Sequence, residues 1–402
     1  MSADLVVRHI RNLYTMAPGT PGLGRIEDAA VAFTGGAVSY TGPTAGAPDA
    51  AASINATGLV GLPGLVDCHT HTVWAGSRAD EFQQRLAGTP YTQILEAGGG
   101  ILSTVRHTRA ASEDALASIA RQRLARMRAR GVTTVEIKSG YGLSPTAEAR
   151  CLAAARQCSD TVRVLTTFLG AHAVPAEWRP DRAGYVRHVI EEQLPACAPL
   201  ADAIDVYCDQ GAFSLEEARA VLEAGRALGL TLHIHAEQIG YTGSAEMAAG
   251  LGAASADHLE RLDAAGAAAM AQAGTVAVML PGAQLYLRDT SPPTQLLRDA
   301  GVRMAVASDF NPGTSPVVDL WSCATLACIL QGLTVEEAAL GITRHAGLAL
   351  GRPELGWLGT GSAADLVLMR PPAGEPAEIA SLIQHMGGGV VQAVIQDGAQ
   401  TL

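Results

Sequence analysis

Between Val31 and Val60, short apolar pieces alternate with the breaks Gly35-Gly36, Gly42-Pro43 and Ala47-Pro48, the punctuation of small antiparallel strands joined by tight turns. The same texture returns near the other end, in Ala364-Asp365-Leu366-Val367-Leu368-Met369 and in Val390-Val391-Gln392-Ala393-Val394-Ile395, just before Asp397-Gly398. The two ends, residues 1–61 and 358–402, are expected to pair into one composite β-sandwich domain. Between them, over residues 62–357, apolar runs alternate with helical stretches of roughly 10 to 15 residues, the rhythm of βαβ units on a parallel sheet. Strands are expected to end near His69, Lys138, His172, Asp209, His235, His258, Pro281 and Asp309, about the eight that close a barrel. Helix starts support this rhythm: Ser144 precedes a first-turn Pro145, while Ser214-x-x-Glu217 and Thr334-x-x-Glu337 read as capping boxes. The fold class that follows is α/β, a (β/α)8 TIM-like barrel with a small β-sandwich built from both chain ends.

Composition narrows the function classes. A chain of 402 residues suits a barrel of roughly 250 to 300 residues plus a smaller unit. A formal net charge of -11 argues against nucleic acid and anionic membrane, both of which repel an acidic protein, and leaves a small molecule as the expected partner. Residues 1–8 lack the features of an export signal, and no apolar run approaches the roughly 18 residues of a membrane span, so a cytoplasmic location is expected. The seven cysteines show no Cys-x-x-Cys spacing and read as reduced, buried thiols; Cys68 should face away from the pocket. The arginines at 121, 123, 126, 128 and 130 read as a solvated helix flank.

The chemistry is expected at the strand ends. His69 and His71 alone are an ambiguous pair, because two imidazoles on one strand face are often ordinary core residues. Their position at the carboxyl end of Leu62 to Cys68 changes that, since barrel enzymes place their active sites there. The same end collects His172, His235, His258 and Asp309, each from a different strand, whereas His233 lies one pleat deeper. Imidazole nitrogens and a carboxylate suit zinc or ferrous iron, and a catalytic site leaves one coordination position open.

Pro63-Gly64-Leu65-Val66-Asp67-Cys68-His69-Thr70-His71 resembles the first-strand signature of the amidohydrolase superfamily. More specific are Gly76-Ser77-Arg78-Ala79-Asp80-Glu81-Phe82, Gly98-Gly99-Gly100-Ile101, Lys138-Ser139-Gly140-Tyr141-Gly142, Gly170-Ala171-His172, His235-Ala236-Glu237-Gln238, Ala256-Asp257-His258 and the run from Asp309 to Pro316. Together these resemble the imidazolonepropionase family. The resemblance implies hydrolysis of the cyclic amide 4-imidazolone-5-propanoate to N-formimidoyl-glutamate in histidine breakdown, and a homodimer. It also implies that His69, His71, His235 and Asp309 hold one divalent ion, Zn2+ or Fe, and that Arg78, Tyr141, His172, Gln238, Asn311, Gly313 and Thr314 contact substrate.

The chemistry needs such residues. A divalent ion lowers the pKa of water from 15.7 towards about 7 and so makes hydroxide available for attack on the ring carbonyl. Asp309 is the expected proton acceptor, and His258 the expected hydrogen-bonding partner of the water or the oxyanion. Arg78 is the expected bidentate partner of the propionate, with Tyr141 and His172 completing the clamp or binding the ring; Tyr91 is a weaker candidate. Gln238 stands where related deaminases carry a glutamate, and an amide cannot act as a general acid. The fourth strand end, Val206 to Gln210, offers no lysine to carboxylate and bridge two metals, so a single ion is expected and Lys138 takes a packing or charge-pairing role. The rival readings are an aminohydrolase of a purine, pyrimidine or related ring and a noncatalytic scaffold.

Overall fold

The computed structural model describes residues 2–90, 93 and 98–402. Its first strands are β1 (Ala3–Tyr14), β2 (Arg25–Thr34), β3 (Ala37–Pro43), β4 (Ala50–Asn55) and β5 (Val60–Pro63). The chain then alternates with helices through β6 (Leu65–Asp67), β7 (Val132–Lys138), β8 (Arg163–Ala171), β9 (Ala203–Cys208), β10 (Thr231–Leu232), β11 (His235–Ala236), β12 (Ser255–His258), β13 (Val276–Met279) and β14 (Met304–Val306). It finishes with β15 (Leu366–Arg370), β16 (Val390–Gln396) and β17 (Ala399–Gln400).

Strands β6 to β14 form one parallel sheet in sequence order, in which β10 and β11 are two halves of a single strand, both pairing with β9. The row curls until its ends meet. Asp309 N–H donates to the His69 carbonyl at 3.0 Å, His71 N–H donates to the Phe310 carbonyl at 3.0 Å, and Thr70 bridges Phe310 in parallel. These closing bonds join the residues just beyond β6 to those just beyond β14, so closure itself brings Asp309 beside His69 and His71. The eight expected strands are present, with ends at the expected places to within about three residues.

Both chain ends enter a second sheet of order β17-β16-β15-β5-β1-β2-β3, with β4 beside β1. Alternation along these strands buries Leu5, Val7, Phe33, Leu366, Leu368 and Ile395 in one cluster. β5 runs straight into β6 through Gly64, and Arg163 at the start of β8 pairs with Asp365 and Asp397 to tie the second sheet to the barrel.

The expected capping boxes at Ser214 and Thr334 are both formed. Ser144 sits at the N-cap before Pro145, yet its hydroxyl makes no capping bond. The arginine flank is solvated only in part: Arg126 is exposed, whereas Arg123 and Arg130 turn inward. Arg123 folds over the Trp74 ring, 3.2 Å from its centroid, and donates to the Thr72 and Trp74 carbonyls at 2.8 and 2.9 Å. Arg130 pairs with Asp319. A guanidinium with several fixed donors satisfies carbonyls left free at strand ends, so these side chains turn inward. Six of the seven cysteines are buried and all are free thiols. No described helix is long and apolar enough to cross a membrane.

Candidate active site

The carboxyl ends of the barrel strands surround a cavity of about 790 Å³. Its wall includes His71, Arg78, Tyr141, His172, His235 and Gln238, together with His258, Asp309, Asn311, Gly313 and Thr314. His69 lies just beneath, fully buried. Every expected site residue therefore reaches this one place. Tyr91 lies outside the described residues.

One nitrogen from each of His69, His71 and His235 lies within 4.8 Å of the other two. Asp309 Oδ1 is 3.5 Å from both His69 Nε2 and His71 Nε2. His69 Nδ1 is engaged by Asp257 Oδ2 at 2.6 Å, so its Nε2 is the nitrogen left for the cluster, and that atom has no hydrogen-bond partner among the described residues. His235 Nδ1 is likewise turned to Asp205 Oδ2 at 3.0 Å. Carboxylates behind imidazoles fix the tautomer that presents Nε2 forward, as at metal centres. Burial holds His69 and His71 well below their ordinary range, so both rings are neutral and offer lone pairs. Three imidazoles with one carboxylate at this spacing fit a divalent cation.

Asp309 and His258 both occupy left-handed backbone, at φ 48° and 78°. Such conformations are costly for non-glycine residues and cluster at functional sites. Burial pushes the Asp309 carboxyl up to about 7 and the His172 imidazole down to about 4. His172 Nδ1 is 3.0 Å from the Gly140 carbonyl, and its ring stacks on His71 at a centroid distance of 5.1 Å.

The apolar and polar walls are held from behind. Arg78 pairs with Glu81 at 2.7 Å, and Glu81 also accepts from Gly100 N–H. The buried Glu148 carboxylate accepts from the backbone N–H groups of Gly140, Gly142 and Leu143, fixing the loop that carries Tyr141. Asp209 does the same for the loop after β11, accepting from Gln238, Ile239 and Gly240. Asn311 spends its amide on its own loop, bonding the Asp309 carbonyl, Gly313 N–H and Thr314 N–H.

Glu237 points away from the cavity and accepts from Ala245 N–H at the start of the helix Ser244–Gly250. His233 is buried beneath the site and bonds Ser255. Lys138 is fully buried among carboxylates.

Sequence reasoning missed Tyr207, Asp205, Asp257 and Glu81 as parts of the site. A signal existed for two of them: Asp205, Tyr207 and Asp209 alternate along β9 and so share the inward face.

The chain matches the amidohydrolase family over residues 60–400. It is 50% identical over 406 residues to the imidazolonepropionase of Methylobacterium sp. (strain 4-46), covering 99% of this chain and 100% of that one. It is 50% identical to the imidazolonepropionase of Caulobacter vibrioides (strain NA1000 / CB15N), covering 96% and 97%. Among solved structures, an adenosine deaminase from Xanthomonas campestris with bound zinc superposes with a TM-score of 0.68 at 21% identity, covering 100% of this chain and 93% of that one. Atrazine chlorohydrolase from Arthrobacter aurescens TC1, complexed with zinc, superposes at 0.71 and 18% identity, covering 99% and 95%. At these identities the structural likeness concerns the fold.

Proposed function

We infer the reaction from one premise: the chain belongs to the amidohydrolase family and, within it, to the imidazolonepropionases. It is a hydrolase that opens the cyclic amide 4-imidazolone-5-propanoate to N-formimidoyl-glutamate in histidine degradation. Water adds to the ring carbonyl carbon, the adjacent carbon–nitrogen bond breaks, and a proton passes to the leaving nitrogen. The observation that carries this activity is the identity of about half of all positions over nearly the whole length of the relatives.

Our assignment of roles rests on the cavity. His69, His71, His235 and Asp309 would hold one divalent ion, zinc or iron. When bound, such an ion supplies Lewis acidity, which lowers the pKa of water from 15.7 towards about 7. Asp309, as a ligand whose second oxygen can face the water, is suited to take a proton from it and return it to the leaving nitrogen. His258, which lines the same cavity, is suited to donate a hydrogen bond to the oxygen that gains negative charge. Arg78 takes the propionate carboxylate, because a guanidinium already held by Glu81 on one edge keeps further donors for a second carboxylate. Tyr141, His172, Gln238, Asn311, Gly313 and Thr314 shape the pocket around the ring and side chain.

We also propose the division into a barrel over residues 62–357 and a composite unit over 1–61 and 358–402, a homodimer, and a cytoplasmic location. The decisive experiment supplies purified protein with imidazolonepropanoate and follows loss of its ultraviolet absorbance, with guanine and cytosine as controls. Turnover of the imidazolone alone is expected. Turnover of a base alone would overturn the reading in favour of an aminohydrolase. Elemental analysis of the purified protein separates zinc from iron.

A further inference from the structure

A fully buried lysine is uncommon, because an ammonium loses its hydration on burial and needs compensating charge. Lys138, at the end of β7, has that compensation: its Nζ lies 2.8 Å from Glu136 Oε1, 2.8 Å from Asp205 Oδ2 and 3.7 Å from Asp257 Oδ2. Two of these oxygens have a second task. Asp205 Oδ2 is also 3.0 Å from His235 Nδ1, and Asp257 Oδ2 is also 2.6 Å from His69 Nδ1. A single ammonium therefore sits behind two of the three imidazoles of the cluster, one carboxylate away from each.

We propose that Lys138 is a positioning residue for the metal centre, anchoring Asp205 and Asp257 so that His235 and His69 keep their Nε2 atoms aimed at one point. The geometry supplies the reason. The three carboxylates come from three different strands and are buried together, where bulk solvent screens their repulsion little. The ammonium lies at hydrogen-bond distance from Glu136 and Asp205 and 3.7 Å from Asp257, and this shared charge constrains the carboxylate orientations on which the two imidazole tautomers depend. Asp257 is further locked by Ser255, whose hydroxyl donates to Asp257 Oδ1 at 2.7 Å, leaving Oδ2 for His69 and the lysine. His71 stands outside this arrangement, since the carboxylate beside its ring among the described residues is Asp309, 3.5 Å from Nε2 on the side of the cluster. The support from behind is thus confined to His69 and His235.

The proposal rests on reading these histidines as ligands of a divalent ion, and zinc binding tests it without reference to turnover. The metal-free parent, Lys138→Met, Lys138→Gln and Glu136→Gln are titrated with zinc against a chromogenic chelator, with folding of each checked by circular dichroism. Both lysine variants should bind zinc roughly ten- to a hundredfold more weakly than the parent. Glu136→Gln removes a lysine partner that touches neither imidazole, and should lower the unfolding midpoint while leaving zinc affinity within about threefold. A folded lysine variant with parental zinc affinity, or a parent that binds no zinc, overturns the proposal. If the parent binds zinc tightly but leaves imidazolonepropanoate intact, the assigned reaction fails while the role of Lys138 stands.

Discussion

Tyr207 donates its hydroxyl hydrogen to Gln238 Oε1 at 2.9 Å, and this bond decides which end of the amide faces the cavity. With the carbonyl oxygen taken by Tyr207, the NH2 group is the end free to meet substrate. As a substrate contact Gln238 would therefore act as a donor, to an oxygen or an unprotonated nitrogen of the ring.

Gln238→Glu tests that assignment. The glutamate keeps the bond from Tyr207 but offers no hydrogen to the substrate, so the Michaelis constant should rise roughly tenfold, in line with about 1–3 kcal/mol for an unmade polar contact. Tyr207→Phe releases the amide to rotate and should produce a smaller rise. An unchanged constant in the glutamate variant would remove Gln238 from the list of substrate contacts.

Arg78 and Gly313 form a second linked pair. A Cβ added at Gly313 would lie 3.1 Å from Arg78 Nη1, closer than the guanidinium tolerates without moving. Gly313→Ala should displace the arginine by a few tenths of an ångström and raise the Michaelis constant roughly fivefold. Arg78→Met, which deletes the charged contact, should raise it on the order of ten- to a hundredfold. Steady-state kinetics on both variants check the order. Equal, small effects would mean that the propionate binds elsewhere.

His258 is separable from the metal cluster. His258→Asn should retain bound metal at the parental ratio while turnover falls about 10²- to 10³-fold, the usual loss when a donor to a developing oxyanion is removed. Metal analysis and turnover are measured on one preparation. Loss of metal together with activity would instead make His258 a ligand.

How much of this was legible in the sequence depends on which physical signal carried it. The barrel was legible because short strand runs alternate with helices that carry start signals, and His69, His71, His235 and Asp309 lie at or within a few residues of the strand ends. Their convergence required closure of the sheet, which the count of strands implied. The supporting carboxylates were harder to see. Asp205 and Asp257 are far in sequence from the imidazoles they face: the pairing of β9 with β11 sets Asp205 beside His235, and closure of the barrel sets Asp257 against His69. Arg123 misled because helical position alone cannot show that a guanidinium reaches back to Thr72 and Trp74. Glu148 was equally silent, since its partners are backbone N–H groups of a loop whose shape no side-chain pattern announces.

Glu260 gives a prediction in pH. Its side chain is buried, Oε1 lies 4.0 Å from His258 Nδ1, and Oε2 has no hydrogen-bond partner among the described residues. Burial raises its pKa to about 8, with Asp289 adding to the effect, against a reference of 4.5 for an exposed glutamate. Below pH 4.5 the group is protonated both folded and unfolded, so it contributes no pH dependence. Between 4.5 and about 8 the unfolded chain has released the proton while the folded chain retains it, and stability falls as pH rises. Above about 8 the loss is complete. Glu260→Gln removes the titration while keeping the shape, so its thermal midpoint relative to the parent should be nearly level at pH 4 and should climb by a few degrees between pH 5 and pH 8, then stay constant. Thermal unfolding followed by circular dichroism at pH 4, 6, 8 and 9 measures this directly. A midpoint difference that does not change with pH would mean that the Glu260 carboxyl ionises as readily folded as unfolded, and its place beside His258 would then be that of a permanent anion.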